Sequence, residues 1–316
     1  MPWVVGIDEA GYGPNLGPLV QAAVALHLPE DDLAGWETLK PVVRRCGEKA
    51  DGRLLIDDSK KVYTRHGLAG LERGVQSALL LMEPTVGEVL RRGTVHGVGI
   101  KDLMASETWY DPAEPTPVAA TPDELTAAFE MLIEGKALLG FAAPAARLVP
   151  TAQFNRICDE SGSKAVALTA GLIELIPAAL GRMRHEAEPV IFLCDKLGGR
   201  NFYAGMLQEA FPNGWIVPEK ESALESRYRI ELLDRPVTVI FRPRADGDSV
   251  AVALASMLCK YLREVFMRQF NRFWARHVPG IAPTAGYPSD ARRFFEQIKP
   301  AMEKLGLTDD QVWRKK

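Results

Sequence analysis

Cysteine is sparse and scattered: Cys46, Cys158, Cys194 and Cys259 form no Cys-x-x-Cys pair and no Cys/His cluster. That excludes a zinc site of the usual spacing and points to reduced, buried thiols. An excess of positive charge is missing too. With a formal charge of −3 and a pI near 6.0 the chain is no polycation, so any nucleic-acid surface has to be a local patch. No charged leader followed by an apolar core opens the sequence, and no uninterrupted apolar run approaches the length needed to cross a bilayer; a cytoplasmic protein with no membrane role is expected. Internal repeats and low-complexity tracts are absent. What is present is a chain of 316 residues, 47% hydrophobic and 25% charged, long enough to bury a large core as one elaborated domain or as two.

The stretch from Val4 to Pro18 organises the rest. An apolar run ends in Asp8 and Glu9, breaks at Gly11-Tyr12-Gly13-Pro14, and resumes as the apolar segment Leu19 to Leu28, the pattern of strand, turn, strand. Alternation along a strand sends Asp8 and Glu9 to opposite faces, so both reach one site only where the strand ends and the backbone turns. Gly11 and Gly13 let that backbone approach a ligand closely. For an arbitrary Asp-Glu pair a solvated hairpin is the commoner case; an apolar strand that leads to a glycine loop shifts the balance toward function. A dinucleotide fingerprint is excluded, because its third glycine would fall at position 16, which is Leu16, and acids just before the loop would repel a pyrophosphate.

Further along, Pro29 and Glu30-Asp31-Asp32 predict a short helix through about Val43. Leu54 to Ile56 reads as a strand ending at Asp57-Asp58-Ser59-Lys60-Lys61, before a helix from Gly67 to about Met82. From Glu83 to about Thr121 the pattern is irregular, with a strand at Val95 to Ile100 and a proline-marked loop. Thr121-Pro122-Asp123-Glu124 starts a helix that runs to about Glu134. Ala146 to Val149 reads as a strand, and Ser163 to about Arg184 as an apolar helix with Pro177 inside it. Val190 to Cys194 is a continuous apolar run that closes on Asp195, as a strand buried on both faces does. After Gly198-Gly199-Arg200-Asn201 come a helix to about Ala210 and a hairpin of Tyr228 to Leu233 with Val237 to Phe241. Arg244-Ala245-Asp246-Gly247-Asp248-Ser249 then leads into a helix from about Val250 to His277, small and apolar at its start and basic later.

Four acids thus stand at element ends: Asp8, Glu9, Asp195 and Asp246. Clustered carboxylates cannot all stay ionised unless cations neutralise them. Oxygen ligands select hard ions such as Mg²⁺ or Mn²⁺, which take their remaining ligands from water and substrate phosphate. Two such ions roughly 3.5–4 Å apart form the clamp used for in-line phosphodiester displacement.

Four motifs, in order, resemble those of the type 2 ribonucleases H (ribonuclease HII), of which this chain looks like a divergent member. Gly6-Ile7-Asp8-Glu9-Ala10-Gly11-Tyr12-Gly13-Pro14 with Gly17-Pro18-Leu19-Val20 is similar to the family's opening motif, and Asp58-Ser59-Lys60-Lys61-Val62 to its Asp-Ser-Lys-Lys-Leu segment. Arg244-Ala245-Asp246 with Ala255-Ser256-Met257-Leu258-Cys259-Lys260 resembles its basic-Ala-Asp segment and following helix, and Gly286-Tyr287-Pro288-Ser289 its C-terminal Gly-Tyr turn.

The resemblance implies an α/β fold, a ribonuclease H-like mixed sheet of five strands flanked by helices, with a helical C-terminal region. It implies a catalytic domain over 1–277, with insertions at about 83–145 and 196–244, and a C-terminal region over 278–316 packed on it. It assigns Asp8, Glu9 and Asp195 as catalytic, metal-binding acids. The fourth is Asp246 or Asp248; Asp246 is preferred because it keeps the family's offset of ten residues to the helix serine, 256 − 246 = 10. Substrate-binding roles fall on Gly11, Tyr12 and Gly13, which read the ribose 2′-hydroxyl with main-chain groups, on Tyr287 against the sugar, and on Lys60 and Lys61 near phosphate. Tyr12 stands where the family has Arg or Lys, which removes a charge beside the scissile phosphate.

The implied activity is a Mg²⁺- or Mn²⁺-dependent endonuclease that cuts the RNA strand of RNA/DNA hybrids, or ribonucleotides embedded in duplex DNA. Two-metal-ion hydrolysis would leave 3′-hydroxyl and 5′-phosphate ends. The expected partner is nucleic acid, and the expected state a monomer. The rivals are a nuclease of the same fold with another nucleic-acid substrate and a non-catalytic module that binds hybrids.

Overall fold

Strand β1 (Trp3–Ala10) is apolar up to Ile7 because both of its faces are covered. Trp3, Val5 and Ile7 join one hydrophobic cluster and Val4 joins another on the opposite side, the period of two expected of a central strand. The computed structural model, which carries side chains, describes residues 1–93, 107–134, 144–183 and 187–315. The strand expected at Val95 to Ile100 lies outside them.

The other strands are β2 (Leu19–His27), β3 (Val43–Arg44), β4 (Leu54–Leu55), β5 (Ala145–Val149), β6 (Val190–Asp195), β7 (Trp215–Glu221), β8 (Ser226–Glu231) and β9 (Val237–Arg242). Among the described residues the helices are α1 (Trp36–Leu39), α2 (Ser59–Ala78), α3 (Val86–Gly93), α4 (Pro122–Glu134), α5 (Thr151–Ser161), α6 (Ala165–Arg182), α7 (Ala204–Ala210), α8 (Ala245–Asp248), α9 (Val250–His277), α10 (Pro288–Leu305) and α11 (Asp309–Val312).

The main sheet is mixed and runs β5-β2-β1-β6-β9-β8-β7. Strands β1, β6 and β9 are parallel; β2 is antiparallel to β1, and β5 to β2. The expected five-stranded sheet is therefore present as β5, β2, β1, β6 and β9, and two strands extend it. Strands β7 and β8 continue the sheet antiparallel beyond β9. The expected hairpin of Tyr228 to Leu233 with Val237 to Phe241 is β8–β9. Strand β7 escaped the sequence reading because it carries Pro218 and its side chains are mostly exposed, the habit of an edge strand.

Other boundaries moved for identifiable reasons. The helix expected from Pro29 to Val43 shrinks to α1. Gly35, at φ 77, breaks the chain just before it, and Val43–Arg44 is drawn into parallel pairing with Leu54–Leu55. Helix α2 starts at Ser59 rather than Gly67, because the Asp58 carboxylate accepts from the amides of Lys60 and Lys61 at 2.8 and 3.2 Å; Gly67 is a kink inside it. Helix α3 lies in a segment expected to be irregular. Helix α6, with a mean hydropathy of 1.5 over 18 residues, is long and apolar enough by length and composition to cross a membrane. Glu174 and Pro177 interrupt its apolar run and hid this from the sequence reading. In the fold Leu172, Leu175 and Ile176 pack against the Trp3, Val5 and Ile7 face of the sheet.

Helix α9 supports the opposite face. Its first turns are buried throughout, from Val250 to Cys259, and pack on β1 and β2. Ser249 caps it, its hydroxyl accepting from the Ala251 amide at 3.3 Å.

Glu107 is one of several buried acids. Glu107 is fully buried and accepts from the Trp109 indole at 3.1 Å and from the Thr151 amide. Burial outweighs these bonds and pushes its carboxyl up to about 7. A folded-state value raised above the unfolded one means that the protonated form supports folding; the contribution is complete at low pH and is lost as pH rises through about 7. Between about pH 5.5 and about pH 8.5, wild type should lose roughly 2 kcal/mol of unfolding free energy relative to Glu107→Gln. Urea titrations of both proteins across that range check this, and parallel pH profiles would refute it.

Candidate active site

The sheet topology brings the acids together. Because β1 and β6 run parallel with Ile7 opposite Cys194, Asp8 and Asp195 reach the same carboxyl-terminal edge of the sheet, where ligands of open α/β sheets bind. Strand β9 delivers the chain to that edge as well, Arg242 pairing with Asp195. The backbone then turns through Arg244 at φ 60, a left-handed conformation uncommon for a non-glycine residue. Asp195 holds that turn, one carboxylate oxygen accepting from the amides of Lys196 at 2.9 Å and Arg244 at 2.8 Å. Asp246, two residues on, thereby faces the sheet edge.

Asp8, Glu9, Asp195 and Asp246 line one cleft of about 290 Å³, together with Gly11, Tyr12, Gly13, Lys60 and Tyr287. Of the expected site residues only Lys61 stands apart. Its ammonium lies 3.5 Å from Asp57, because α2 starts early and turns successive lysines in different directions. Asp248 is exposed and does not border the cleft, so the structure places Asp246, and not Asp248, with the other acids.

The acids repel one another in a partly buried cleft. Burial, and then the Glu9 charge, push the Asp8 carboxyl well above its ordinary range, against a hydrogen bond from Ser256. Glu9 is pushed up to about 7, by burial first and Asp195 second, with Lys60 opposing. Asp246 is raised by burial, Asp58 and Asp195, and Lys60 again opposes. One lysine offsets these charges only partly.

The glycine loop is held from behind. Gly11, at φ 92, packs so tightly that a Cβ there would lie 2.4 Å from the Pro18 carbonyl oxygen. Gly13 has nothing within 4 Å of a Cβ and is open. The guanidinium of Arg263, almost fully buried, donates to the carbonyls of Leu16 at 3.3 Å and Ala285 at 2.9 Å, and so ties the loop to the turn before Tyr287. The amides of Asn15 and Leu16 donate to the Gly286 carbonyl at 2.8 and 3.2 Å. Buried Arg314 reaches the same loop, donating to the Gly11 carbonyl and, at 3.4 Å, to that of Tyr12, while it stacks 3.8 Å over Phe154. Lys164 lies 4.9 Å above the Tyr12 ring.

No family model and no curated protein matches the sequence. Among solved structures the chain is similar to the ribonuclease H2 of Pyrococcus horikoshii OT3, at 16% identity and a TM-score of 0.45, over 98% of this chain and 92% of that one. It is also similar to the ribonuclease HII of Archaeoglobus fulgidus seen in complex with PCNA, at 14% identity and a TM-score of 0.42, over 98% and 92%. A third likeness is to Bst-RNase HIII in complex with Mn²⁺, at 15% and 0.40, over 99% and 65%. At such identities these likenesses concern the course of the chain, and the reading of the site rests on its own geometry and motifs.

The sequence reading missed several cleft residues. Ser256, Lys260 and Arg263 all border it, and their spacing of i, i+4 and i+7 on a helix that starts near the fourth acid is a signal that was there to be read. Ser59 lies beside Ser256, the two hydroxyl oxygens 3.0 Å apart. Arg314 has no comparable signal, since nothing local ties it to a loop about 300 positions away.

The donor set fits a hard divalent cation. It is made of oxygen and crowded, and Asp8, Glu9 and Asp246 are raised toward the neutral form, by burial first and by neighbouring carboxylates second. Among the described residues no three His, Cys, Asp or Glu side chains are grouped tightly enough to enclose an ion by themselves.

Proposed function

We propose that this chain is a metal-dependent endoribonuclease of the ribonuclease H kind, acting on RNA paired with DNA or on ribonucleotides embedded in duplex DNA. The observation that carries the reading is that four carboxylates, Asp8, Glu9, Asp195 and Asp246, border one cleft with an open glycine loop and a partly exposed tyrosine.

Asp8, Glu9, Asp195 and Asp246 would hold Mg²⁺ or Mn²⁺. When bound, such ions supply the charge that acidifies water and stabilises oxygen atoms leaving phosphorus. The remaining work belongs to the chain. Lys60 attracts the phosphate to the rim and limits repulsion from the acids. The Gly11-Tyr12-Gly13 main chain, fixed by Arg263 and Arg314, offers peptide groups to the ribose 2′-hydroxyl, the group that separates RNA from DNA. Tyr287 covers the sugar, held in place by the Gly286 contacts with the loop. Water attacks phosphorus, the P–O3′ bond breaks and the 3′ oxygen takes a proton, which leaves a 3′-hydroxyl and a 5′-phosphate.

The test is one labelled duplex set: all DNA, DNA with a single ribonucleotide, and a full RNA/DNA hybrid, each with Mg²⁺ or Mn²⁺ and with wild type or Asp8→Asn. Cleavage confined to ribonucleotide-containing strands and lost in the variant is expected. Tight hybrid binding with no metal-dependent cutting of any duplex would leave a non-catalytic module instead.

A further inference from the structure

A second cleft, of about 330 Å³, adjoins the first and shares Asp195 as a wall. One side is the loop after β6, which contains Gly198, Gly199 and Asn201. The other is the tip of the β7–β8 hairpin at Ala223, part of the extension beyond the five expected strands. The two sides are fastened by Lys196. Its ammonium donates to the Ser222 carbonyl at 2.6 Å, Asn201 Oδ1 at 2.8 Å, Ser226 Oγ at 3.1 Å and the Arg200 carbonyl at 3.4 Å. With these partners Lys196 is a structural clasp with little left for a ligand.

Two large apolar side chains stand in solvent beside this cleft. Phe202, next to Asn201, is 72% exposed, and Leu224, next to Ala223, is 79% exposed. Each adjoins, in the chain, a residue that lines the cleft from one of its two sides. Arg244 borders the cleft alongside Asp195 with its side chain exposed, while Arg200, on the loop after β6, donates to Thr169 Oγ1 at 3.3 Å. Glu225, the acid at the hairpin tip, is already ringed by Arg242 at 2.6 Å, Arg227 at 3.4 Å and Lys220 at 3.6 Å. A Cβ on Gly198 or Gly199 would meet nothing within 4 Å, so the main chain there is open to close approach.

We propose that this cleft is a second subsite on the nucleic-acid strand, in which Phe202 and Leu224 pack against the base or sugar of a nucleotide neighbouring the one in the acid cleft while Arg244 faces its phosphate. The inference rests on the nuclease reading. An aromatic surface beside a cationic groove is the usual means of holding a single strand without reading its sequence. Continuity with the acid cleft through Asp195 favours a nucleic-acid strand over a protein, because a strand whose phosphate lies at Asp195 must pass over an adjoining surface. One of the two sides of the subsite, the β7–β8 tip, comes from the strands added to the sheet.

The experiment measures binding and cleavage separately. Fluorescence anisotropy with a labelled duplex carrying one ribonucleotide compares wild type with Phe202→Ala/Leu224→Ala, whose exposed sites leave the fold intact, as a thermal melt verifies. The affinity of the double variant should be about tenfold weaker. Wild type and variant should converge on a duplex truncated immediately to one side of the ribonucleotide, and KM should rise with kcat nearly unchanged. Equal affinity of the two proteins for the full duplex would overturn the subsite and leave the patch to a protein partner. If wild type binds but cuts nothing, the nuclease reading fails, while the anisotropy comparison still decides the subsite.

Discussion

Asp246→Asn is expected to lower metal-dependent cleavage by roughly 100-fold or more, and Asp248→Asn by no more than about threefold. The two residues are two positions apart in α8, about 200° around a helix, and sequence offers arguments for either. The fold separates them. Asp246 is half-buried on the wall of the acid cleft and feels the charges of Asp195 and Asp58. Asp248 faces solvent at the far side of the turn. The turn itself is set by Asp195, which accepts the Arg244 amide, so the position of Asp246 depends on a neighbouring acid as well as on its own helix. The measurement is initial rate on a ribonucleotide-containing duplex in saturating Mn²⁺, with circular dichroism to verify folding. A reversed pattern, with Asp248→Asn inactive and Asp246→Asn active, would assign the fourth carboxylate to Asp248.

Much of this site was legible because its residues lie at the ends of strongly patterned elements. The apolar runs before Asp8 and Asp195 mark strands whose last residues reach the sheet edge, and parallel pairing of those strands does the rest. Helix α9 was readable to its observed ends, since a serine cap and small apolar first turns are local signals. The preference for Asp246 came from the family's ten-residue offset to the helix serine that the resemblance implies, and Asp246 does border the cleft with the other acids. What stayed hidden is non-local. Strand β7 pairs for its main-chain bonds and not for an apolar face, so its alternation says little. Arg263 and Arg314 secure the glycine loop through carbonyl oxygens, which carry no residue identity, and Arg314 does so from about 300 positions away. Lys60 and Lys61 look equivalent in sequence; only the true start of α2 separates the lysine that borders the cleft from the one beside Asp57.

The last expectation concerns Gly6, which no motif argument explains by itself. Gly6→Ala should cost about 3 kcal/mol or more of stability, at the upper end for an added methyl group in a packed core. A Cβ at this position would lie 2.2 Å from both the Ala251 carbonyl carbon and the Val252 amide nitrogen. Those atoms are main chain in the buried first turn of α9, so no side chain can swing aside. The strand that carries Asp8 and the helix that carries Ser256, Lys260 and Arg263 would have to separate. Stability and cleavage should therefore fall together, even though Gly6 touches no substrate in the proposed site. Gly13→Ala is the control for stability, because nothing lies within 4 Å of its Cβ position, and it should remain within about 0.5 kcal/mol of wild type. Urea unfolding of the three proteins decides the matter. If Gly6→Ala unfolds at the same urea concentration as Gly13→Ala, the close approach of β1 and α9 is not what sets the geometry of the acid cleft.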